Sequence, residues 1–338
     1  MWVAAGSVLC GMATACHHNA VSDDSPDAAP DVDAPPGDPQ LPGCKGLPAT
    51  CGPAKNEDCC QAAAVPGGTF YRSYDAVGFT DMGHPATVSN FVLDRYEVTV
   101  GRFRAFVSAG KGTRTSPPAG GAGAHPRLTG SAWDDSWNGS MEVDTTALMK
   151  ALKCNGAYET WTDTPGSNED KPVNCVTWYE AMAFCVWDGG YLATEAEWNY
   201  AASGGTEQRV YPWSSPSTSA TIDCAYANYY VNSPAGMFCV NGVTGGANTV
   251  GSESTRGDGR WGHADLAGGV FEWTLDWYAP AYSTTCDDCA NLTPDSLRVV
   301  RGGSFLDDAP FLRAAKRGNL TPTDRTYVVG FRCARAPR

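Results

Sequence analysis

The sequence predicts an α+β fold with little regular secondary structure, and three observations lead there. Gly (38) and Pro (23) punctuate the 338 residues with turns, while Trp (11) and Tyr (14) supply bulk for an aromatic interior. Runs of β-branched and aromatic residues are short and bounded by turn formers. Helical signals are few and brief, and no period of 20–50 residues repeats. This composition disfavours a helical bundle. Net charge is −13 and no basic patch gathers, which excludes a nucleic-acid footprint.

Taken in order, Met1–Ala15 is apolar and rich in small residues, ending Ala13-Thr14-Ala15-Cys16. It falls short of the ~20 residues that span a bilayer. It resembles the end of a bacterial lipoprotein signal, which implies residues 1–16 as leader and Cys16 as the lipidated residue. That reading expects export to the cell envelope, as an outer-membrane or cell-surface lipoprotein held to the membrane by its lipid. Residues 17–43 carry six Asp and no Lys or Arg, with abundant Ala and Pro. Such a stretch cannot bury a core and reads as a disordered, extended acidic tether.

Residues 44–64 form a small Cys-rich segment holding Cys44, Cys51, Cys59 and Cys60. No His lies near to complete a zinc site, so disulfides are expected, with adjacent Cys59 and Cys60 not joined to each other. The chain holds 14 Cys, far above cytosolic usage. Setting Cys10 and Cys16 aside leaves an even number, which suits an oxidising compartment.

From Val65 to Arg338 the pattern is that of one packed domain. Thr69–Arg72, Ala86–Asp94 and Val299–Phe305 read as strands. Thr99–Ala109 reads as a helix, with Val100, Phe103, Phe106 and Val107 on one face. Thr177-Trp178-Tyr179-Glu180 and Thr194-Glu195-Ala196-Glu197 are capping boxes, opening helices stopped by Gly189-Gly190 and Gly204-Gly205.

Ordered motifs then accumulate along this domain: Val65-Pro66-Gly67-Gly68-Thr69-Phe70, Leu93-Asp94-Arg95-Tyr96-Glu97-Val98-Thr99, Pro172-Val173-Asn174-Cys175-Val176-Thr177-Trp178 and Ala193-Thr194-Glu195-Ala196-Glu197-Trp198. Asp265-Leu266-Ala267-Gly268, Glu272-Trp273, Arg301-Gly302-Gly303-Ser304-Phe305 and Gly330-Phe331-Arg332-Cys333 complete the series. In this order and spacing, residues 65–338 resemble the sulfatase-modifying-factor, or formylglycine-generating-enzyme, family. The resemblance implies a C-type-lectin-like variant fold stabilised by disulfides and a structural calcium. For the calcium it implies Asp265, Gly268, Val270 and Glu272 as ligands, and a second site beginning at Asn228 and the carbonyl of Tyr229. It further implies a Cys185–Cys333 disulfide, while the positions of the family's second bridge hold Ala202 and Arg317. Cys224 with Cys239, Cys154 with Cys175, and Cys286 with Cys289 are local pairings suggested by proximity; the last, flanked by acids, reads as structural.

The family's two copper-binding cysteines sit three and eight residues after the Arg-Gly-Gly-Ser serine, positions held here by Asp307 and Leu312. Copper(I) selects soft thiolates, so copper is not expected. The family's substrate-contacting Asn falls at Val328. Only five His exist and they are scattered, which removes the iron-binding route of the related ergothioneine-synthase branch. No catalytic residue is assigned. The expected function is a surface-anchored, non-catalytic module binding a peptide, protein or glycan. Its groove candidates are Phe271, Ser304, Asp307 and Asp308. The alternative is an oxygen-dependent oxidoreductase of the same family using a different centre.

Overall fold

The computed structural model describes residues 40–232, 236–283 and 285–337. In chain order its elements are β1 (Ala62–Val65), β2 (Gly68–Tyr71), β3 (Pro85–Val88), β4 (Phe91–Asp94) and α1 (Val100–Ser108). Next come α2 (Thr145–Ala151), α3 (Trp178–Trp187), β5 (Tyr191–Leu192), α4 (Glu195–Ala202), β6 (Tyr230–Val231) and β7 (Met237–Phe238). The series closes with β8 (Phe271–Trp277), β9 (Arg298–Arg301), β10 (Gly318–Leu320), β11 (Val329–Gly330) and β12 (Cys333–Arg335). The expected mixture of short strands and few helices is what the chain adopts.

Two four-stranded sheets organise it, ordered β1-β4-β12-β5 and β10-β9-β8-β11. Only β11 runs parallel to its neighbour, β8. The single strand expected over Ala86–Asp94 is two strands in different sheets, because β3 pairs with β2 while β4 pairs with β1. The break falls at Ser89 and Asn90, which are occupied locally: Asn90 Oδ1 accepts from Gly67 N, and Ser89 donates to Asp288. The strand expected over Val299–Phe305 stops at Arg301. Gly302 and Gly303 follow at φ +95° and +74°, a left-handed turn that side-chain-bearing residues resist.

Both capping boxes form as anticipated. Thr177 and Thr194 accept from the third helical amide while Glu180 and Glu197 reach back. Thr99 likewise caps α1 by accepting from Arg102 N. The α1 and α3 faces meet through Phe103, Phe106, Phe184 and Trp187, with ring centroids 5.3–5.8 Å apart, and Phe331 closes the stack. The Cys185–Cys333 bridge ties α3 to β12, as the family resemblance implied.

Beside that core, Arg102 and Arg335 are interleaved with Asp94 and Asp188. Arg102 donates to Asp94 at 2.9 Å and to Asp188 at 2.7 Å, and Arg335 bonds the same two acids. Two cations face two anions. Although burial alone would raise it, the two guanidiniums hold the Asp94 carboxyl below its usual range.

The end of the acidic stretch is not free: Gly43 N donates to Asp188 Oδ1 at 2.8 Å, and the residues before 40 lie outside the description, as does Cys16. The Cys-rich segment is not separate either. Cys44 bonds Cys60 and Cys51 bonds Cys59, and the latter pair packs on Tyr96, Val250 and Ala264. β1 begins at Ala62, within that segment, and enters the first sheet.

Candidate functional site: a groove beside an acid cluster

After β9 the two glycines fold the chain back, and Gly302 O accepts from Gly268 N at 3.0 Å, so the 265–270 loop lies against this turn. A Cβ on Gly303 would stand 2.9 Å from Leu312 Cδ1, which explains the small residue there. Ser304 is fully buried and committed. Its N and Oγ donate to Asp307 Oδ2 at 3.0 and 2.5 Å. Burial pushes the Asp307 carboxyl upward, against the pull of the Ser304 bonds.

Leu312 is buried with Val210, Tyr211 and Tyr229. The two positions that carry copper ligands in the resembling family thus hold a turn-capping acid and a core aliphatic. Asp308 has one oxygen, Oδ1, buried without a partner; the other accepts from Asn232 Nδ2 at 3.4 Å.

Phe271 is half-buried on β8, with its N donating to Val328 O at 2.8 Å beside Tyr327. Its ring lies beside Gly318, where an added Cβ would meet it at 3.4 Å, and it packs with the main core. An aromatic wall gathers around Phe305, two residues before Asp307 in the chain, from residues sequence reasoning missed. Tyr158 stacks on Tyr327 at 5.0 Å and meets Phe305 at 5.6 Å. Their positions, 147 to 169 residues apart in sequence for the Tyr158 pairs, leave no periodic trace. On the other flank, Tyr230 N donates to Asp307 O, and β6 and β7 carry Tyr230 against Phe238.

The one acid of the 265–270 loop, Asp265, leads to further acids. Asp265 adopts φ +57° and its Oδ2 accepts from Gly251 N at 2.5 Å. Burial, opposed by that bond and by Arg332, still raises it to about 6. Glu253 accepts from Asn248 Nδ2 at 2.8 Å and is pushed to about 8 by burial and by Asp265. Glu97 is buried, leaves Oε2 without a partner, and is raised well above the carboxylate range, by burial first and Asp265 next. Asn228 Oδ1 is also buried and unpartnered, while its Nδ2 donates to Gly246 O and Asn248 Oδ1.

Glu272 adds its charge to those acting on Glu97 and is itself firmly hydrogen-bonded. Its oxygens take two 2.7 Å bonds from Arg332 and one of 2.9 Å from Trp198 Nε1. The charge of Asp265 acts on both Glu97 and Glu253, pushing each carboxyl upward. The Tyr229 carbonyl accepts from Cys239 N at 3.1 Å. Gly268 and Val270 contribute backbone within the loop that covers Glu97; a Cβ on Gly269 would come 3.1 Å from Glu97 Oε1.

Every cysteine among the described residues is in a disulfide. Besides the three bridges above, these are Cys154–Cys175, Cys224–Cys239 and Cys286–Cys289, the pairings proximity suggested.

Comparison with known proteins places this geometry. A sulfatase-modifying factor enzyme 1-like domain matches residues 48–337. The formylglycine-generating enzyme of Streptomyces coelicolor is 34% identical over 284 residues, covering 79% of this chain and 85% of that protein. The inactive C-alpha-formylglycine-generating enzyme 2 of Bos taurus is 29% identical over 282 residues, covering 80% and 86%. Among solved structures, PvdO from Pseudomonas aeruginosa superposes with a TM-score of 0.56 at 20% identity, covering 87% of this chain and 97% of that one. A family match running from within the Cys-rich segment almost to the last residue, over a chain whose 302–304 turn and 265–270 loop are built from the family's motifs, makes this protein a member of the sulfatase-modifying-factor family.

Proposed function

We propose that this protein is a non-catalytic member of its family, a binding module that uses the groove around Asp307 and the Tyr158–Tyr327 wall to hold a peptide, protein or glycan. The observation that carries the reading is chemical. Asp307 is a hard oxygen donor bound up with Ser304, Leu312 is no donor, and each described cysteine is tied in a disulfide. Soft copper(I) finds no dithiolate in that set. A relative designated inactive, matched over most of its length, supports the same reading.

Exposed apolar side chains support the binding role. Met237 (42%), Val243 (84%) and Phe311 (43%) are among the few large hydrophobics left in solvent, and they lie on segments flanking Asp307. The C-type-lectin-like character of the fold, a lipid on Cys16 and residence at the cell envelope belong to the same proposal.

The acid cluster suits a hard divalent cation such as calcium, which takes oxygen ligands alone. Glu97, Glu253 and Asp265 supply carboxyls, and Glu97 Oε2 and Asn228 Oδ1 are buried acceptors lacking a donor. No three acid, His or Cys groups among the described residues already converge in a metal-holding arrangement, so binding would draw them together. The cation would neutralise the loop that backs the groove and would take no part in chemistry.

One observation favours a second reading, an oxygen-ligand oxidoreductase centre: the unpartnered Asp308 Oδ1 beside Asp307. A single experiment separates the two. The protein is incubated aerobically with copper(I) or iron(II) and a cysteine-containing sulfatase peptide, then analysed by mass spectrometry. The expected result is an unchanged peptide; conversion of its cysteine to an aldehyde sinks the binding-module reading.

A further inference from the structure

A cavity of about 630 Å³ opens on a different part of the molecule, lined by Arg72, Glu195, Asp276, Tyr282, Cys289 and Arg317 among others. None of these belongs to the groove or the acid cluster. Three features of this cavity bear on the Cys286–Cys289 bridge.

The first is a cation without an acid. Arg72 is buried, and its guanidinium donates to Ser283 O at 2.6 Å and to Cys289 Sγ at 3.6 Å, leaving Nε without a partner. Arg301 and Arg317 share this region, and both are committed to Glu195. The remaining acid, Asp276, already accepts from two backbone amides, and burial with the Glu195 charge raises it to about 7. Positive charge is in excess here.

The second feature concerns the intervening acids, which would suppress a thiolate if they faced it. Asp288 turns away: it accepts from Ser89 N and Oγ at 2.6 Å and pairs with Arg127. Asp287 is exposed and bridges through its backbone to Thr87. These contacts also hold the loop to β3 without the bridge. The third is accessibility and cost. Cys289 is half-buried on the cavity wall while Cys286 is buried. The bridge closes the shortest loop of the six, a separation of 3 residues against 148 for Cys185–Cys333, so it contributes least chain-entropy stabilisation.

We propose that Cys286–Cys289 is a redox-active disulfide that exchanges with an external dithiol, with Cys289 as the reacting sulfur, Cys286 as the resolving one, and Arg72 as counter-charge for the Cys289 thiolate. A donor thiolate attacks Cys289 Sγ; the bridge breaks and its electron pair leaves on Cys286, which takes a proton. The donor's second thiolate then attacks the mixed disulfide and releases Cys289 as thiolate beside Arg72. Two electrons pass to the bridge, the donor becomes a disulfide, and of its two protons one rests on Cys286 and one enters solvent. Run backwards, the same steps reduce a partner's disulfide.

The test uses the whole chain in graded dithiothreitol redox buffers, quenched with iodoacetamide and mapped by peptide mass spectrometry. The expected result is labelling at Cys286 and Cys289 while the other five bridges stay closed. In the reduced form, Cys289 alkylates about tenfold faster than Cys286 at neutral pH, with a midpoint below the ~8.5 of an ordinary thiol. R72Q moves that midpoint up to the ordinary value and R72K restores part of the lowering. Opening of this bridge only together with the others, or a wild-type Cys289 midpoint at or above ~8.5, overturns the proposal whether or not the variants fold. So does an unchanged midpoint in folded R72Q.

Discussion

Two buried ionic groups in this protein have opposite constitutions. The Arg102–Asp94–Asp188–Arg335 clasp matches two cations to two anions, and each acid accepts from both guanidiniums. The Glu97–Asp265–Glu253 group holds three acids, and Arg332, whose charge reaches Glu97 and Asp265, makes its ion pair with Glu272. The clasp is complete within the chain; the cluster leaves buried acceptors open. The difference separates a group built to hold strands and helices together from one built to receive something.

The largest expected effect tests the clasp. Arg102→Met would leave Asp94 and Asp188 each short of a buried partner, at a cost of about 3–5 kcal/mol measured by urea unfolding. A loss near zero would make the clasp no more structural than a surface pair. Next comes the cluster. Calcium at a hundredfold its dissociation constant should stabilise the chelator-treated protein by about 2.7 kcal/mol. Asp265→Asn with Glu253→Gln should abolish that gain while raising the stability of the metal-free form. Calorimetry that shows no calcium response would break the comparison at its acid-rich end.

The pH dependence sharpens it further, since the two groups carry opposite signs. Asp265 and Glu253 bind protons more tightly folded than unfolded, titrating near 6 and 8 in place of about 4. Metal-free stability from this cluster therefore declines as pH rises from about 4 to 8. Asp94 is lowered by folding, so its contribution is present above the ordinary carboxylate pKa and is lost as pH falls through the depressed one. Melting temperatures recorded across pH with and without calcium should diverge most at the alkaline end. The smallest effect belongs to the groove: Asp307→Ala removes the bonds to Ser304 and should cost about 1 kcal/mol.

Much of the fold was readable because it rests on local chemistry. The capping boxes and the glycine stops sit in short motifs that state their own geometry, whereas the Cys185–Cys333 bridge, 148 residues apart, was implied by the family resemblance. What escaped reading was partnership across long separations. Ala86–Asp94 has the composition of one strand, and only the claims of Gly67 on Asn90 and Asp288 on Ser89 divide it. Around Asp265, the acids Glu97 and Glu253, whose carboxyls it pushes upward, come from sequence positions 168 and 12 residues away, with no pattern to announce them. The Tyr158 wall was hidden for the same reason.

The placement of β12 has a further consequence. Residues 333–335 fill the slot between β4 and β5, and Arg332, Cys333 and Arg335 bond Glu272, Cys185 and the clasp acids. A ribosome delivers this keystone after everything it locks. The emerging polypeptide must then wait with Leu93 and Leu192 uncovered, a window in which chaperones and proteases can compete, and a stop codon before residue 333 would leave that slot open.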